Sequence, residues 1–308
     1  MINRLLIRIK VLQVLYAWYQ NGNNNLKAAE NEILFSLQKS YDLYYYMLLL
    51  LIDVTRLQDY ILTNRKNRYL PTPEELNPNM RFVDNRFIKQ LASNRQFNTY
   101  VEEKKVSWVN DRDFVKSVLD LILSTDEYAA YMSSNNDSYD ADKEFWQTIF
   151  KNYICENEMI SDYLEDLSIY WNDDVDIVAT FVLKTIKKFK KEEGVLQPLL
   201  PMFSDIEDRY YAIQLLRKSI MFADEYREMI DAKAKNWEHE RIAGMDIYIM
   251  QIAVAELLAF PSIPISVTLN EYIDLSKYYS TPKSYIFVNG ILDAIVNDLK
   301  NDNRLFKE

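Results

Sequence analysis

Thr281-Pro282-Lys283-Ser284-Tyr285-Ile286-Phe287-Val288-Asn289-Gly290-Ile291-Leu292-Asp293 reads as the opening of an amphipathic helix, and the kind of helix it is constrains the rest of the chain. The Thr281 hydroxyl suits an N-cap and Pro282 suits the first helical position, where no amide hydrogen is needed. Apolar residues recur at Val288, Ile291, Leu292, Ile295 and Leu299, while Asn289, Asp293, Asn297 and Lys300 take the opposite side. That spacing buries one face and leaves the other in water. Between them runs a stripe of Lys283, Phe287, Gly290 and Ala294, which joins a cation and an aromatic ring to two residues small enough for close approach. It is the candidate site on this helix.

Working back from that helix, Thr268 and Glu271 are spaced as a capping box for a helix through Tyr279. Residues Arg241 to Leu258 are apolar nearly all round, so they predict a central helix that Pro261 and Pro264 end. Ile206 to Trp237 and Asp176 to Lys191 are helical by spacing, and Asp205, Glu207 and Asp208 suit the positive end of the former. Helices are also expected between Phe82 and Leu123, where the periodicity is weaker. Ser133 to Ser138 reads as a polar loop. Between Gly22 and Pro71 there is neither proline nor glycine, and Leu34, Leu37, Tyr41, Tyr44, Leu48, Leu51 and Thr55 alternate steps of three and four. That is one long helix or two in series.

Composition agrees with an all-α protein. Glycine occurs 4 times in 308 residues, far too seldom for the turns and phosphate loops of a parallel-sheet nucleotide-binding fold. Hydrophobic residues at 49% and charged residues at 27% are globular proportions. One cysteine, Cys155, rules out an internal disulfide and reads as a small buried side chain, while the one histidine, His239, between two glutamates reads as a solvated surface residue. With these two alone there is no ordinary zinc cluster, so no metal and no cofactor is expected. Glycine-rich loops, nucleophile elbows and a histidine beside a serine are all missing, which argues against an enzyme. The N-terminus does not read as a signal peptide, and the longest apolar run, Leu43 to Ile52, is too short to span a bilayer. A cytoplasmic protein is expected.

The formal net charge of −10 argues against general nucleic-acid binding, but its distribution is uneven. No Asp or Glu occurs from Met1 to Ala29, whereas Arg4, Arg8, Lys10 and Lys27 do. Arg4 and Arg8 fall one helical turn apart, and Asn3, Lys10, Gln13 and Ala17 form a second polar edge. Fixed cations of this kind grip phosphates and release condensed counterions. The same pattern also fits an amphipathic helix kept soluble by its cations. Arg65-Lys66-Asn67-Arg68 and the lysines from Lys184 to Lys191 read first as helix-end and solvated-face charges. The 23 tyrosines, abundant as they are, identify no binding residue by number alone.

Two segments resemble the NusB family of transcription antitermination factors. One is Arg8 to Trp18, with Leu12-Gln13-Val14-Leu15-Tyr16-Ala17-Trp18. The other is Arg241 to Val296, with Ile252-Ala253-Val254-Ala255-Glu256-Leu257, Asn270-Glu271-Tyr272-Ile273-Asp274-Leu275-Ser276-Lys277 and Phe287-Val288-Asn289-Gly290-Ile291-Leu292-Asp293. The resemblance implies a NusB-like helical bundle divided into a first helix at 1–21, a large helical insertion at 22–200 and the remaining RNA-binding core at 201–308. It implies binding of single-stranded boxA-type RNA of ribosomal RNA leaders, with a NusE-type small-subunit ribosomal protein as partner in the RNA polymerase elongation complex. The family's RNA-binding positions correspond here to Arg4, Arg8, Tyr16 and Phe287. Arg4, Arg8, Lys10 and Lys283 would hold phosphates while Phe287 and Tyr16 stack bases. Asp246 and Glu256 are candidate carboxylates for the protein partner or for structure. The sequence departs from the family at Leu5 and Leu6, where arginines are usual, and at Gln251, Ala255, Tyr285 and Ile286. With its thinner cationic edge, it also fits a helical interaction scaffold with little RNA affinity of its own.

Overall fold

A computed structural model describes residues 1–22, 24–234, 244–305 and 307. Every regular element among them is helical, and the extended pairing is limited to an isolated parallel bridge between Ile2 and Phe203. The chain begins with α1 (Arg4–Gln20) and α2 (Leu26–Lys66). Asn3 caps α1 by accepting from the Leu6 amide at 2.9 Å. The segment without proline or glycine forms one uninterrupted helix of 41 residues rather than two. Its Leu37, Tyr41, Tyr44, Leu48, Leu51 and Thr55 are buried, as the three-and-four spacing predicts.

The described residues fall into two compact units. One holds Gln38–Met202 together with Met1. It contains the rest of α2, then α3 (Pro73–Leu76), α4 (Arg86–Ala92), α5 (Arg95–Lys104), α6 (Arg112–Leu123), α7 (Asp126–Ser133), α8 (Tyr139–Ile149), α9 (Glu158–Leu167) and α10 (Val175–Lys188). A short π-helical turn, Phe150–Ile154, precedes Cys155. That cysteine is only partly buried, and its thiol is pushed up to about 12 by burial and then by Glu156 and Asp176.

Many of the tyrosines are framework in this unit. The Tyr45 and Tyr100 rings stack with centroids 3.7 Å apart, and Tyr100 donates to Asp42 at 2.6 Å. Tyr44 and Thr185 share a hydrogen bond of 2.6 Å, while Tyr41 donates to the Leu200 carbonyl at 2.8 Å. Ring packing supplies area, and each buried hydroxyl meets the partner it needs.

The second unit joins Ile2–Leu37 to Phe203–Glu308. Its later helices are α11 (Ile206–Met221), α12 (Ala223–Ala234), α13 (Gly244–Ala259), α14 (Ile265–Tyr279) and α15 (Ser284–Asn301). The helical stretch expected from Ile206 to Trp237 is therefore broken at Phe222, and the reading of His239 lies outside the described residues. α13 is the axis of the unit and packs against α1, α11, α12, α14 and α15. Nine consecutive residues from Ile249 to Leu257 are buried, which accounts for the nearly unbroken apolar run.

Two helix starts differ from the sequence reading. α14 begins at Ile265 rather than near Thr268, because Thr268 and Glu271 are taken by tertiary partners instead of closing a capping box. α15 begins at Ser284: Thr281 to Ser284 forms a turn in which Ser284 donates its amide to the Thr281 carbonyl at 2.9 Å. Val288, Ile291, Leu292, Ile295 and Leu299 are buried as their spacing predicts.

Candidate nucleic-acid interface

Glu256 is the one carboxylate in the apolar run from Ile247 to Leu258, and at that depth it must find a cation. The cation is Arg8. Its Nε and Nη2 donate to the two Glu256 oxygens at 2.8 and 2.9 Å, and its Nη1 donates to Glu271 at 3.0 Å. Glu256 also accepts from the Thr268 hydroxyl at 2.9 Å, from Tyr272 at 2.9 Å and from Tyr211. The Arg8 and Glu256 side chains are 3% and 0% exposed. Burial alone opposes both charges. For Glu256 the Arg8 hydrogen bonds and charge, aided by Tyr211 and Thr268, overcome it and hold the carboxyl below its ordinary range. Burial is the largest single effect on Arg8, but the Glu256 hydrogen bond together with the charges of Tyr272, Tyr211 and Glu256 overcomes it and holds the guanidinium above its ordinary range. Burial and then the Glu256 charge push both tyrosine hydroxyls well up. The network fixes α1 against α11, α13 and α14.

Arg8 therefore does not lie on an exposed basic edge, because all its planar donor fork faces carboxylates inside the fold. Lys10 is also wholly buried and is engaged within the protein. Phe287, only 7% exposed, packs inward and cannot present a ring face to a base. The two carboxylates suggested for a partner are interior as well. Glu256 holds Arg8, and Asp246 accepts from the Ser284 hydroxyl at 2.8 Å, tying the start of α13 to the start of α15. Gly290 is exposed on α15.

Three of the residues suggested from sequence do reach solvent. Arg4 sits 5.2 Å over the Tyr211 ring and lines a cleft of about 270 Å³ with Tyr210, Lys218 and Phe260. Asp208 lies 3.8 Å from Arg4, a loose pairing that leaves its guanidinium accessible. Tyr16, 43% exposed, meets Tyr248 edge to face with centroids 6.1 Å apart. Lys283 is exposed at the start of α15. Arg4 and Tyr16 lie roughly 18 Å apart along α1, from twelve residues at 1.5 Å each. Arg4 thus lies toward the Phe260 end of α13 and Tyr16 toward the Tyr248 end. The arrangement expected from sequence, with Lys283 and Phe287 meeting Arg4 and Arg8 across one edge, does not form.

A cluster around Tyr16 was not legible in advance. Tyr19 and Tyr248 stack with centroids 5.0 Å apart and planes 7° from parallel, and the Arg227 guanidinium lies 4.3 Å over Tyr19. Gln251 holds the group by donating to Tyr19 at 2.9 Å and to the Ser219 carbonyl, while its oxygen accepts from Arg227 at 3.3 Å. Its one sequence signal is Gln251 itself, a polar residue in the central apolar helix. Aromatic faces beside a cation suit unpaired bases. Among the described residues no three His, Cys, Asp or Glu side chains gather to hold a metal ion, and no helix is long and apolar enough to cross a membrane.

Comparison with known proteins places this architecture. The profile of the NusB family matches residues 178–297. The chain is similar to the transcription antitermination protein NusB of Salinibacter ruber, with 37% identity over 132 residues that cover 41% of this chain and 82% of the relative. It is also similar to that of Geotalea daltonii, with 33% identity covering 43% of this chain and 88% of the relative. The likeness to the Chloroherpeton thalassium protein of the same name is 36% identity over 38% of this chain and 57% of the relative. No solved structure matches. With more than four-fifths of the Salinibacter relative covered at that identity, the chain belongs to the NusB family.

Proposed function

We propose that this chain is a transcription antitermination factor. In this reading it binds single-stranded boxA-type RNA of ribosomal RNA leader transcripts and acts with a NusE-type small-subunit ribosomal protein in the elongation complex in the cytoplasm. The observation that carries the RNA part is the aromatic and cationic cluster of Tyr16, Tyr19, Tyr248 and Arg227, in which Tyr16 is exposed and the other three are half-buried. Tyr16 and Tyr248 offer ring surface to bases, and Arg227, Arg4, Lys218 and Lys283 offer charge to phosphates. Arg8 acts through α1: by holding Glu256 and Glu271 it sets the position from which Arg4 and Tyr16 are displayed. Family membership supports both the RNA and the protein partner.

The burial of Arg8, Lys10 and Phe287 favours a second reading, a helical interaction scaffold whose own RNA affinity is slight. Titrating a boxA-type RNA against the chain alone and with the ribosomal protein separates the two. An antitermination factor binds the RNA with an affinity that falls with salt, and Tyr16→Ala weakens it. A scaffold binds the ribosomal protein equally with or without RNA and adds nothing to RNA affinity.

A further inference from the structure

The unit formed by Gln38–Met202 carries a concentration of positive charge that the reading above leaves unused. Lys184, Lys187, Lys188, Lys190 and Lys191 are five lysines in eight residues of a chain whose net charge is −10. All five are exposed, and none closes an ion pair among the described residues, although Glu192 and Glu193 follow directly. The negative end of α10 accounts for Lys187 and Lys188 in its last turn. Lys190 and Lys191 lie beyond that turn, where the helix dipole gives no reason for them.

The backbone bearing these lysines is locked in place. Phe189, between the two pairs, is 1% exposed and meets Phe87 edge to face at 5.2 Å. Lys143 donates to the Phe189 carbonyl at 3.2 Å and brings a further cation, with Asp140 3.6 Å from it. The Lys190 amide donates to Gln197 at 2.8 Å, and Gln90 donates to the carbonyls of Lys190 and Gly194 at 2.9 Å each. Gly194 turns its carbonyl to Gln90 from a left-handed conformation, φ 52°, that a side chain would strain. Asn94 closes the frame by donating to the Gln197 carbonyl at 2.7 Å. Unpaired cations held together on a fixed backbone repel one another, and an anionic partner relieves that repulsion with little ordering cost.

We propose that this lysine platform is a second RNA-binding surface, one that grips the phosphate backbone without reading sequence. The inference rests on the RNA-binding reading of the other unit. Lysines act as point charges on phosphates and, unlike the tyrosine cluster, bring no ring to stack bases. An anionic membrane is the poorer match, since the apolar side of α10, Val178, Val182 and Ile186, is already buried and cannot insert.

The test uses the full chain, unstructured polyuridylate RNA and affinity measured across a salt series. Replacing Lys187, Lys188, Lys190 and Lys191 together by Gln should flatten the slope of log affinity against log salt by about 0.7 for each lysine that holds a phosphate, up to about 3 for all four. Replacing the same four by Arg should restore the slope. Circular dichroism confirms that each variant keeps its helix content. An unchanged slope in the Gln variant, with Arg4→Ala and Tyr16→Ala still weakening binding, overturns this platform and leaves the other unit's role standing. Failure of the unmodified chain to bind RNA at low salt overturns both. In that case, binding to phosphatidylserine vesicles that the Gln variant loses would reassign the platform to a membrane surface.

Discussion

Replacing Arg8 by Ala tests the network on which the placement of α1 depends. An exposed ion pair contributes roughly 0–1 kcal/mol, whereas removing one partner of a buried pair costs about 3–5 kcal/mol because a charge is left without compensation. With side-chain exposures of 3% and 0%, this pair belongs to the second class. Glu256 would keep Tyr211, Tyr272 and Thr268 as donors but lose the cation bonded to its carboxylate. At roughly 2–4 °C per kcal/mol for a chain region of this size, the melting temperature should fall by about 6–20 °C. The deficit should also depend on pH. In the unmodified protein the depressed Glu256 carboxyl contributes stability that is complete above its unfolded value of 4.5 and is lost as pH falls through its lower folded value. In Arg8→Ala burial is opposed by the Tyr211, Tyr272 and Thr268 hydrogen bonds alone, so the carboxyl titrates higher than in the unmodified protein and protonation narrows the deficit as pH falls. Urea unfolding followed by helix ellipticity should therefore show a deficit that is large at pH 7 and narrows toward pH 4. Adding Glu256→Gln to Arg8→Met should recover part of the loss, because the amide oxygen still accepts from the tyrosines. A deficit below about 1 kcal/mol, or one equal at both pH values, would refute a charge-bearing buried pair.

Phe287→Ala should lower stability by about 3–5 kcal/mol, the cost of truncating a buried aromatic side chain. RNA affinity of the folded fraction should hardly move, and a direct loss of affinity without loss of stability would return this ring to the RNA surface. Tyr16→Ala should leave unfolding nearly unchanged and weaken RNA binding by about 1–3 kcal/mol for each base it stacks, read by fluorescence titration. Lys307 donates to the Phe260 carbonyl at 2.9 Å, and burial, only partly offset by Glu256, lowers its ammonium to about 8. The unfolded state then binds more protons from about pH 8 upward, so stability rises with pH until lysine's unfolded range is reached. Lys307→Met should remove that rise from the difference between the two unfolding curves.

Helices were easiest to read where one periodicity ran uninterrupted, as in α2 and α15, because the buried stripe is a property of spacing alone. Helix starts were less legible. Thr268 and Glu271 carry capping chemistry, yet Glu256 and Arg8 claim those side chains through contacts that no local pattern encodes, while the Thr281 hydroxyl is taken by its near neighbour Ser284. The cationic edge was misread for a related reason. Arg8 and Lys10 look solvated on a helical wheel, and only the depth of a carboxylate far along the chain draws Arg8 inside. Glu256 is one of two acids, with Asp246, in the apolar run from Arg241 to Leu258, and spacing alone does not show that it is buried or which cation it holds. Tyr19, Tyr248 and Arg227 come from three separate helices, and their convergence is a product of packing around Gln251.

The central claim is that the surface around Tyr16 and Arg4 binds single-stranded RNA. A short boxA-type RNA titrated with the chain, alone and with a NusE-type ribosomal protein, at a low and a high salt concentration, tests it most directly. The prediction is binding that weakens with salt, tightens with the ribosomal protein and drops when Arg4 and Tyr16 are both replaced by Ala. RNA affinity that is absent under every condition, or is unchanged by that double replacement, would contradict it.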